Sequence, residues 1–344
     1  MAVSTQKSTR SEAPGQGADP FDDIRRAIGR RFGADAQIEN IVVPTLGGSN
    51  RTVLFDLVER GARRRLVSRQ ETYSGAGNPF LAPADQFRVM RVAFDHGLPV
   101  PEPIFAYDET DAMGAGFVTA FVQGETMPKR ILGADFVGLH PTLTQQLGAF
   151  LARLHAIAPS EVDFLERIPD SADPVAAQYA HYRTYAEIHP AIELGFRWLE
   201  RNRPPTQRRG LVHGDFRNGN FMVGPDGLTA VLDWECSHVG GGAEDIGWLC
   251  TRSWRFGQND RPVGGFGARA PLIAAYRAAG GEPIDLDAVR YWEIFGLLRW
   301  AIINIMQGYG HVYEGRRSVV FAACGRNASL IEYDLLMTIA GRYE

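Results

Sequence analysis

The amino-acid sequence predicts an α+β fold with two lobes, a small β-rich N-lobe and a larger, mainly helical C-lobe. Short runs of β-branched and aromatic residues, separated by turn-forming residues, occur within the first 124 positions. Apolar residues at helical spacing dominate the rest of the chain. The predicted order is a hairpin, a strand, a helix, a strand and then helices, which differs from the regular βα alternation of a parallel sheet.

The chain has 344 residues, a length that favours two lobes over one. We place the boundary at Gln123-Gly124, so that the predicted parts are 1–20, 21–124 and 125–344. Residues 1–20 are polar and rich in Ser, Gly and Ala without an apolar stretch, which predicts a disordered tail rather than a signal peptide. No run of eighteen uncharged apolar residues occurs, and the three cysteines are far apart. These features predict a cytoplasmic protein with reduced thiols.

The N-lobe elements follow from local patterns. A turn-rich segment at 46–50 separates two β-rich runs and predicts a hairpin, and the helical pattern at 85–96 ends before three prolines. The predicted helices are 21–32 and 85–96, and the predicted strands are 41–43, 52–57, 65–69 and 116–122.

The C-lobe is predicted to contain one hairpin among helices. Two apolar runs flank Pro225-Asp226-Gly227, so 221–232 should form that hairpin. The predicted helices lie around 143–154 and 192–199, and at 243–252, 270–279, 286–306 and 316–342. His155 is expected to be a hydrogen-bonded structural histidine. Trp198, Trp248, Trp292 and Trp300 are expected to belong mainly to the core, although some of them could line a substrate pocket.

The composition excludes several classes of protein. Lys plus Arg number 36 and Asp plus Glu 40, which gives a net charge of −4 and argues against a protein that coats nucleic acid or an anionic membrane. The only lysines are Lys7 and Lys129, and no Gly-Lys pair exists, so a Walker A loop is excluded and Schiff-base chemistry is disfavoured. Any contact with a phosphate must therefore depend mainly on arginine.

One segment carries the side chains that chemistry would need. The hairpin at 221–232 should bring Asn220 and Asp233 to the same end, close to Asp215 in the preceding Gly-containing loop. Two oxygen ligands suit Mg²⁺, which completes its coordination shell with water and phosphate oxygens. The remaining carboxylate could accept a proton from a hydroxyl group.

The spacing of these residues resembles a known pattern. His213-Gly214-Asp215 with Asn220, followed by Asp233-Trp234-Glu235, is similar to the catalytic and metal-binding segments of protein kinases. The glycine after the histidine, and Trp-Glu after the second aspartate, resemble the aminoglycoside phosphotransferase and choline kinase-like family. Within it, the chain looks most like the phosphotransferase domain fused to some acyl-CoA dehydrogenases. The similarity runs from about Val43 to the C-terminal helix and includes the motifs 47–50, 98–101, 151–155, 198–199 and 245–249.

This resemblance implies a protein-kinase-like fold and transfer of phosphate from ATP to the hydroxyl group of a small molecule. It implies that Asp215 orients or deprotonates the acceptor, that Arg217 stabilises the transferred phosphoryl group, and that His213 braces the loop. Asn220 and Asp233 would hold Mg²⁺ on the phosphates of ATP. The nucleotide would also be bound by Gly47, Gly48, Ser49, Asn50 and Arg69, and by the backbone of Ala120, Phe121 and Val122.

Departures from the family pattern leave alternatives open. Gln86 stands where the subgroup usually has a glutamate, and Gly240-Gly241-Gly242 replaces the usual Gly-Asp-Pro. A catalytically weakened nucleotide-binding regulator is therefore one alternative, and an aminoglycoside-type antibiotic kinase is another. Arg299 and several C-terminal aromatic residues favour a metabolic acceptor, such as a hydroxyacyl compound or another alcohol. We expect no nucleic-acid or membrane partner, and a monomer or homodimer.

Overall fold

The computed structural model describes residues 21–44, 50–71, 80–111 and 113–343. Within these ranges an antiparallel sheet occupies the N-terminal part and helices dominate the C-terminal part, which confirms the predicted α+β class. The tail predicted at 1–20 lies outside the described residues. The division of the chain at residue 124 stays a prediction.

The N-terminal part is a five-stranded antiparallel sheet with two helices. Its elements are α1 (Asp22–Phe32), β1 (Gln37–Val42), β2 (Asn50–Glu59), β3 (Ala62–Glu71), α2 (Pro83–Asp95), β4 (Pro103–Ala106) and β5 (Gly116–Ala120). The strand order is β1-β2-β3-β5-β4. β4 was not predicted, because its segment is rich in proline. It forms an edge strand that begins at Pro103, a position where the missing N–H disturbs no ladder.

Local sequence explains the long β2–β3 hairpin. Arg60 and Gly61 both have positive φ angles, of 49° and 80°, the backbone of a two-residue turn that matches the twist of the strands. Alternate residues Val53, Phe55 and Leu57 of β2 are buried and face the apolar side of α1. The hairpin thereby fixes the position of β3.

The C-terminal part contains nine helices within the described residues. They are α3 (Pro128–Ile131), α4 (His140–His155), α5 (Pro169–Ala172), α6 (Pro174–Tyr182), α7 (Pro190–Arg201), α8 (Ala243–Cys250), α9 (Arg269–Ala278), α10 (Leu286–Val312) and α11 (Val319–Ile339). The longer helices were predicted, but α10 continues six residues past its predicted end at Met306. The short helices α3, α5 and α6 were missed. Each begins with proline, whose fixed φ suits the first turn of a helix.

Two small sheets lie among these helices. β7 (Phe221–Gly224) pairs with β8 (Gly227–Val231), which confirms the predicted hairpin. β6 (Arg209–Val212) pairs with β9 (His238–Gly241), a pairing that was not predicted. Because Val212 lies opposite His238, the loop that follows β6 and the loop that precedes β9 leave this sheet side by side. These are loop 213–220 and loop 232–237.

The apolar core has three parts. One lies between α1 and the N-terminal sheet, a second extends from α2 through α4 to the two small sheets, and a third joins α7, α10 and α11. The second part continues from the N-terminal elements into the C-terminal ones, so it holds both loops against a shared core. In the described part of the chain, no helix has both the length and the apolar character needed to cross a membrane.

Candidate active site

Asp215 lies at the centre of the candidate site, in loop 213–220. Its Oδ1 accepts hydrogen bonds from Trp248 Nε1 at 2.8 Å and from Arg217 Nε at 3.1 Å. The amide nitrogen of Asn220 donates to the other carboxylate oxygen and, at 2.9 Å, to the Asp215 backbone carbonyl. A carboxylate held by three donors has a fixed orientation, so the structure brings Asp215, Arg217 and Asn220 together as predicted.

His213 connects the two loops. Its Nε2 donates to the Leu232 carbonyl at 2.9 Å, and its Nδ1 accepts the Asp215 backbone N–H at 3.2 Å. Burial lowers the pKa of His213 and outweighs the nearby carboxylates, which favours the neutral ring that this pair of bonds requires. The geometry agrees with the bracing role inferred for His213.

Asp245 on α8 holds the start of loop 213–220 through hydrogen bonds. Its carboxylate accepts the backbone N–H groups of His213 at 2.8 Å and of Gly214 at 2.9 Å. His155 Nε2 lies 3.1 Å from the same carboxylate, and the Tyr276 hydroxyl lies 3.1 Å from His155 Nδ1. Burial alone would raise the pKa of Asp245, but the hydrogen bond from His155 and the backbone donors lower it. His155 is therefore hydrogen-bonded within the core, as predicted.

Asp233 faces Arg69 across the two lobes. Asp233 follows β8 with a φ of 68°, a left-handed conformation that aspartate tolerates better than most residues. Arg69 Nη2 on β3 lies 2.6 Å from Asp233 Oδ1 and 3.5 Å from Glu235 Oε2. Burial by itself would raise the pKa of Asp233, but Arg69 holds it below its usual value. Burial, with Asp233 adding to it, raises the pKa of Glu235 to about 7.

The donor set fits a magnesium ion. The Asn220 amide nitrogen is occupied by Asp215, which leaves the side-chain oxygen as the ligand atom. That oxygen and the Asp233 carboxylate are hard donors of the type that Mg²⁺ prefers. Among the described residues, no group of three or more His, Cys, Asp and Glu side chains has the arrangement of a metal site. Mg²⁺ on a nucleotide is typically bound by one or two protein carboxylates and completes its shell with water and phosphate oxygens.

The predicted nucleotide-binding residues are only partly described. Gly47, Gly48 and Ser49 lie outside the described residues, and Asn50 is the first residue of β2, opposite Glu71. At the end of β5, the Ala120 N–H donates to the Glu102 carbonyl at 2.9 Å, and the following Phe121 N–H donates to the Arg65 carbonyl at 3.0 Å. Both amides are thus used by the fold. Over the described ranges, no backbone acceptor is found for the Val122 N–H.

Two contacts at the site were missed by sequence reasoning. Trp248 was expected mainly in the core, yet its indole N–H holds Asp215. Arg217 lies with its guanidinium carbon 4.6 Å from the centre of the Trp254 ring, a cation–π contact. A signal for Trp248 was present, because Asp245 and Trp248 are three residues apart on α8 and therefore share a helix face.

Arg299 differs from its predicted use. It was expected to bind the anionic end of an acceptor. Its Nη1 instead donates to the Gly214 carbonyl at 2.6 Å, and its guanidinium lies 5.1 Å from the centre of the Trp248 ring. Arg299 nevertheless borders a cavity beside loop 232–237. The walls of that cavity combine apolar groups with the carboxylates of Asp170 and Glu235.

Comparison with protein families gives one match over most of the chain. The profile described as the phosphotransferase enzyme family matches residues 41–281. Acyl-CoA dehydrogenase family member 10 of Mus musculus is 30% identical over 218 residues, which cover 59% of this chain and 19% of that protein. Acyl-CoA dehydrogenase family member 11 of Homo sapiens is 27% identical over 175 residues, which cover 47% of this chain and 22% of that protein. The chain thus spans about a fifth of the length of these relatives.

Comparison with solved structures concerns the fold. A Ralstonia eutropha protein that carries the name of an aminoglycoside phosphotransferase superposes with a TM-score of 0.69 at 20% identity, covering 93% of this chain and 98% of that one. The GDP complex of aminoglycoside 2'-phosphotransferase-IIIa gives a TM-score of 0.61 at 14% identity, covering 92% and 99%. A hygromycin B complex with AMP-PNP of a related phosphotransferase gives 0.54 at 18%, covering 92% and 98%. These likenesses confirm the predicted protein-kinase-like two-lobe fold.

The hydrogen bonds that hold loop 213–220, from Tyr276 through His155 to Asp245, can be tested by a substitution that disturbs the packing around them. A Cβ atom on Gly242 would lie 2.4 Å from the Tyr276 hydroxyl and 2.5 Å from His155 Nδ1. We expect Gly242→Ala to lower the free energy of unfolding in urea by about 1–3 kcal/mol, the usual cost of overpacking. Gly138→Ala is the control, since a Cβ atom at this exposed position would meet no atom within 4 Å. Equal stability of the two variants would contradict a rigid contact at Gly242.

Proposed function

The chain belongs to the phosphotransferase enzyme family, and from this premise we propose that it is a kinase that transfers the γ-phosphate of ATP, with Mg²⁺, to a hydroxyl group of a small molecule. The observation that carries the proposal is the convergence of Asp215, Asn220 and Asp233 with two arginines. Structures of similar fold whose names mention GDP or AMP-PNP support the use of a nucleotide.

The arrangement supports a role for Asp215 as the acceptor of the hydroxyl proton. Trp248 and Arg217 hold one carboxylate oxygen and Asn220 contacts the other, so the group is oriented before a substrate arrives. Phosphoryl transfer has a loose transition state that depends on positioning and charge compensation more than on covalent help. A fixed carboxylate beside a phosphate-binding cation meets both requirements.

The charges around Asp215 support binding of the phosphates. Arg217 combines its bond to Asp215 with the contact to Trp254, which keeps its positive charge beside the base. Asn220 and Asp233 would hold Mg²⁺, which neutralises charge on the phosphates when bound. Arg69 lies next to Asp233 and supplies the cation that a lysine gives in many other phosphate sites.

For the acceptor we propose a metabolic alcohol, such as a hydroxyacyl compound. The cavity beside loop 232–237 has apolar walls that include Ile168, Ile303 and Met306, and it is also bordered by Arg299, whose Nη1 already donates to the Gly214 carbonyl. These apolar walls suit the apolar body of an acceptor. The similarity to acyl-CoA dehydrogenase family members points in the same direction.

An aminoglycoside acceptor is the second candidate. Asp170 and Glu235 border the same cavity, and carboxylates are what a polycationic antibiotic requires. Measurement of ADP release over a panel of hydroxyacyl compounds, amino alcohols, sugars and aminoglycosides separates the two candidates. Nucleotide binding without ADP release on any acceptor would favour the weakened regulator instead.

The first prediction concerns the base. Asp215→Asn keeps the size of the side chain but removes its ability to accept a proton, so we expect acceptor-dependent ADP release to fall at least about a hundredfold. The affinity for ATP, measured by calorimetry, should stay nearly constant. Asp226→Asn in the exposed β7–β8 turn is the matched control. Wild-type turnover in Asp215→Asn, with an identified acceptor, would show that Asp215 is not the base.

The second prediction concerns the metal. Asp233→Ala removes one of the two proposed ligands, so Mg²⁺ should no longer add to the thermal stabilisation produced by ATP. The measurement compares melting temperatures with ATP in Mg²⁺ and with ATP in EDTA. Asp226→Ala should behave as wild type. If Asp233→Ala keeps the full Mg²⁺-dependent increase, Asp233 is not a metal ligand.

The third prediction concerns the orientation of Asp215. Trp248→Phe keeps an aromatic ring but removes the N–H that donates to Asp215 at 2.8 Å. Loss of a hydrogen bond to a charged group is worth about 1.5–3 kcal/mol, so kcat should fall about tenfold or more while KM for ATP is unchanged. Trp300→Phe is the control. The centre of the Trp300 ring lies 4.9 Å from that of Trp254, so this residue belongs to the same group of aromatic side chains. A wild-type kcat in Trp248→Phe would remove Trp248 from the positioning of the base.

A further inference from the structure

Arg69 receives its carboxylate contacts from loop 232–237. Asp233 and Glu235 lie 2.6 Å and 3.5 Å from the same guanidinium nitrogen. Both carboxylates therefore belong to one short segment of the C-terminal part, whereas Arg69 belongs to β3 of the N-terminal sheet. The contact joins the two parts of the molecule through charge.

The helix α2 places its acids elsewhere. Asp85 pairs with Arg88 at 3.3 Å and also with Arg167, and Asp95 lies 3.9 Å from Arg91. α2 packs against the 3₁₀ turn Trp234–Cys236, and Gln86 on α2 is buried and neutral. The acidic groups of α2 thus pair with other arginines, and Gln86, which is linked to this turn through Leu81, carries no charge.

Gln86 is connected to Glu235 by hydrogen bonds. Gln86 Nε2 donates to the Leu81 carbonyl at 2.8 Å, and the Leu81 N–H donates to the Glu235 carbonyl at 2.8 Å. A glutamate at position 86 would be unable to donate the first of these bonds when ionised. The amide of Gln86 therefore holds Leu81 in place, and Leu81 in turn holds the backbone of Glu235.

The two carboxylates that contact Arg69 would have different roles once a nucleotide is bound. Under the proposed function, Asp233 would also bind Mg²⁺ on the nucleotide, so its carboxylate would be only partly available to Arg69. The Arg69 side chain is 27% exposed, so loss of a counter-ion costs more there than at a fully exposed site, where water replaces the partner more completely. Glu235 is the second carboxylate in contact with Arg69 and can stay with it during that change.

We propose that Glu235 is a positioning residue that keeps Arg69 directed at the nucleotide phosphates, and that Gln86, acting through Leu81, holds Glu235 in place. This inference rests on the proposed function. The counter-ion of the β3 cation thereby comes from the turn after Asp233 instead of from α2. Because Glu235 supplies this counter-ion, a neutral glutamine at position 86 is compatible with a bound phosphate.

The test uses nucleotide affinity without metal. In EDTA, ADP binding depends on the arginines and not on Mg²⁺, so calorimetry with ADP isolates the role of Arg69. Glu235→Gln should weaken ADP binding about five- to tenfold, in line with the loss of one charged contact. Asp85→Asn removes a carboxylate from α2 that pairs with other arginines, and should leave ADP affinity unchanged.

A second variant tests the role of Gln86. Gln86→Leu removes the amide that donates to the Leu81 carbonyl, so it should weaken ADP binding in the same direction as Glu235→Gln, and combining the two substitutions should add little to the loss produced by Glu235→Gln alone. The melting temperature without ligand verifies that both variants are folded, and Glu235→Asp provides a milder change with an expected intermediate affinity.

Three results would overturn the inference. One is wild-type ADP affinity in Glu235→Gln, another is a loss that appears only when Mg²⁺ is present, which would make Glu235 a metal ligand, and the third is wild-type ADP affinity in Gln86→Leu. Absence of ADP binding to the wild-type protein would be a different failure, because it would overturn the proposed function itself together with this inference.

Discussion

The site depends on one buried carboxylate. Asp245 accepts the backbone N–H groups of His213 and Gly214, two consecutive donors that would otherwise be buried without partners. An unsatisfied buried N–H costs about 1–3 kcal/mol, so the loop is stable in this conformation only while Asp245 is ionised and in place. His155 binds the same carboxylate, and Tyr276 binds His155. The position of Asp215 is thus set by groups on α4, α8 and α9 that lie outside loop 213–220.

A second constraint brings the N-terminal sheet to the same place. The β3 strand is held by the two-residue turn of the β2–β3 hairpin and by its pairing with β5, and it carries Arg69 towards loop 232–237. Asp233 can meet Arg69 because its φ is positive, which turns the chain sharply after β8. The left-handed conformation costs about 1 kcal/mol or more and is offset here by a charged contact. The geometry of the proposed phosphate site therefore comes from both parts of the molecule.

Local patterns in the sequence were sufficient for the parts of the site that lie close together in the chain. The spacing of Asp215 and Asn220, and the turn between β7 and β8, depend on neighbouring residues, and both were predicted. The β6–β9 pairing joins segments 26 or more residues apart, and no short pattern marks it. Arg299 shows the same limit, because its bond to Gly214 spans 85 positions. A side chain's partner at such a distance is decided by tertiary packing, which propensity and periodicity do not contain.

The scarcity of lysine acquires a physical meaning at this site. Arg217 uses Nε for its bond to Asp215 while its planar group lies over the Trp254 ring, and a lysine has one ammonium group that could not make both contacts in this way. Arg299 likewise joins a carbonyl and an indole ring. Each of these guanidinium groups is partly or wholly buried among aromatic rings, where a weakly hydrated, delocalised cation loses less solvation than an ammonium. The tryptophan rings near Asp215 and the preference for arginine are therefore connected. The faces of Trp248 and Trp254 stabilise the two guanidinium groups where water is partly excluded.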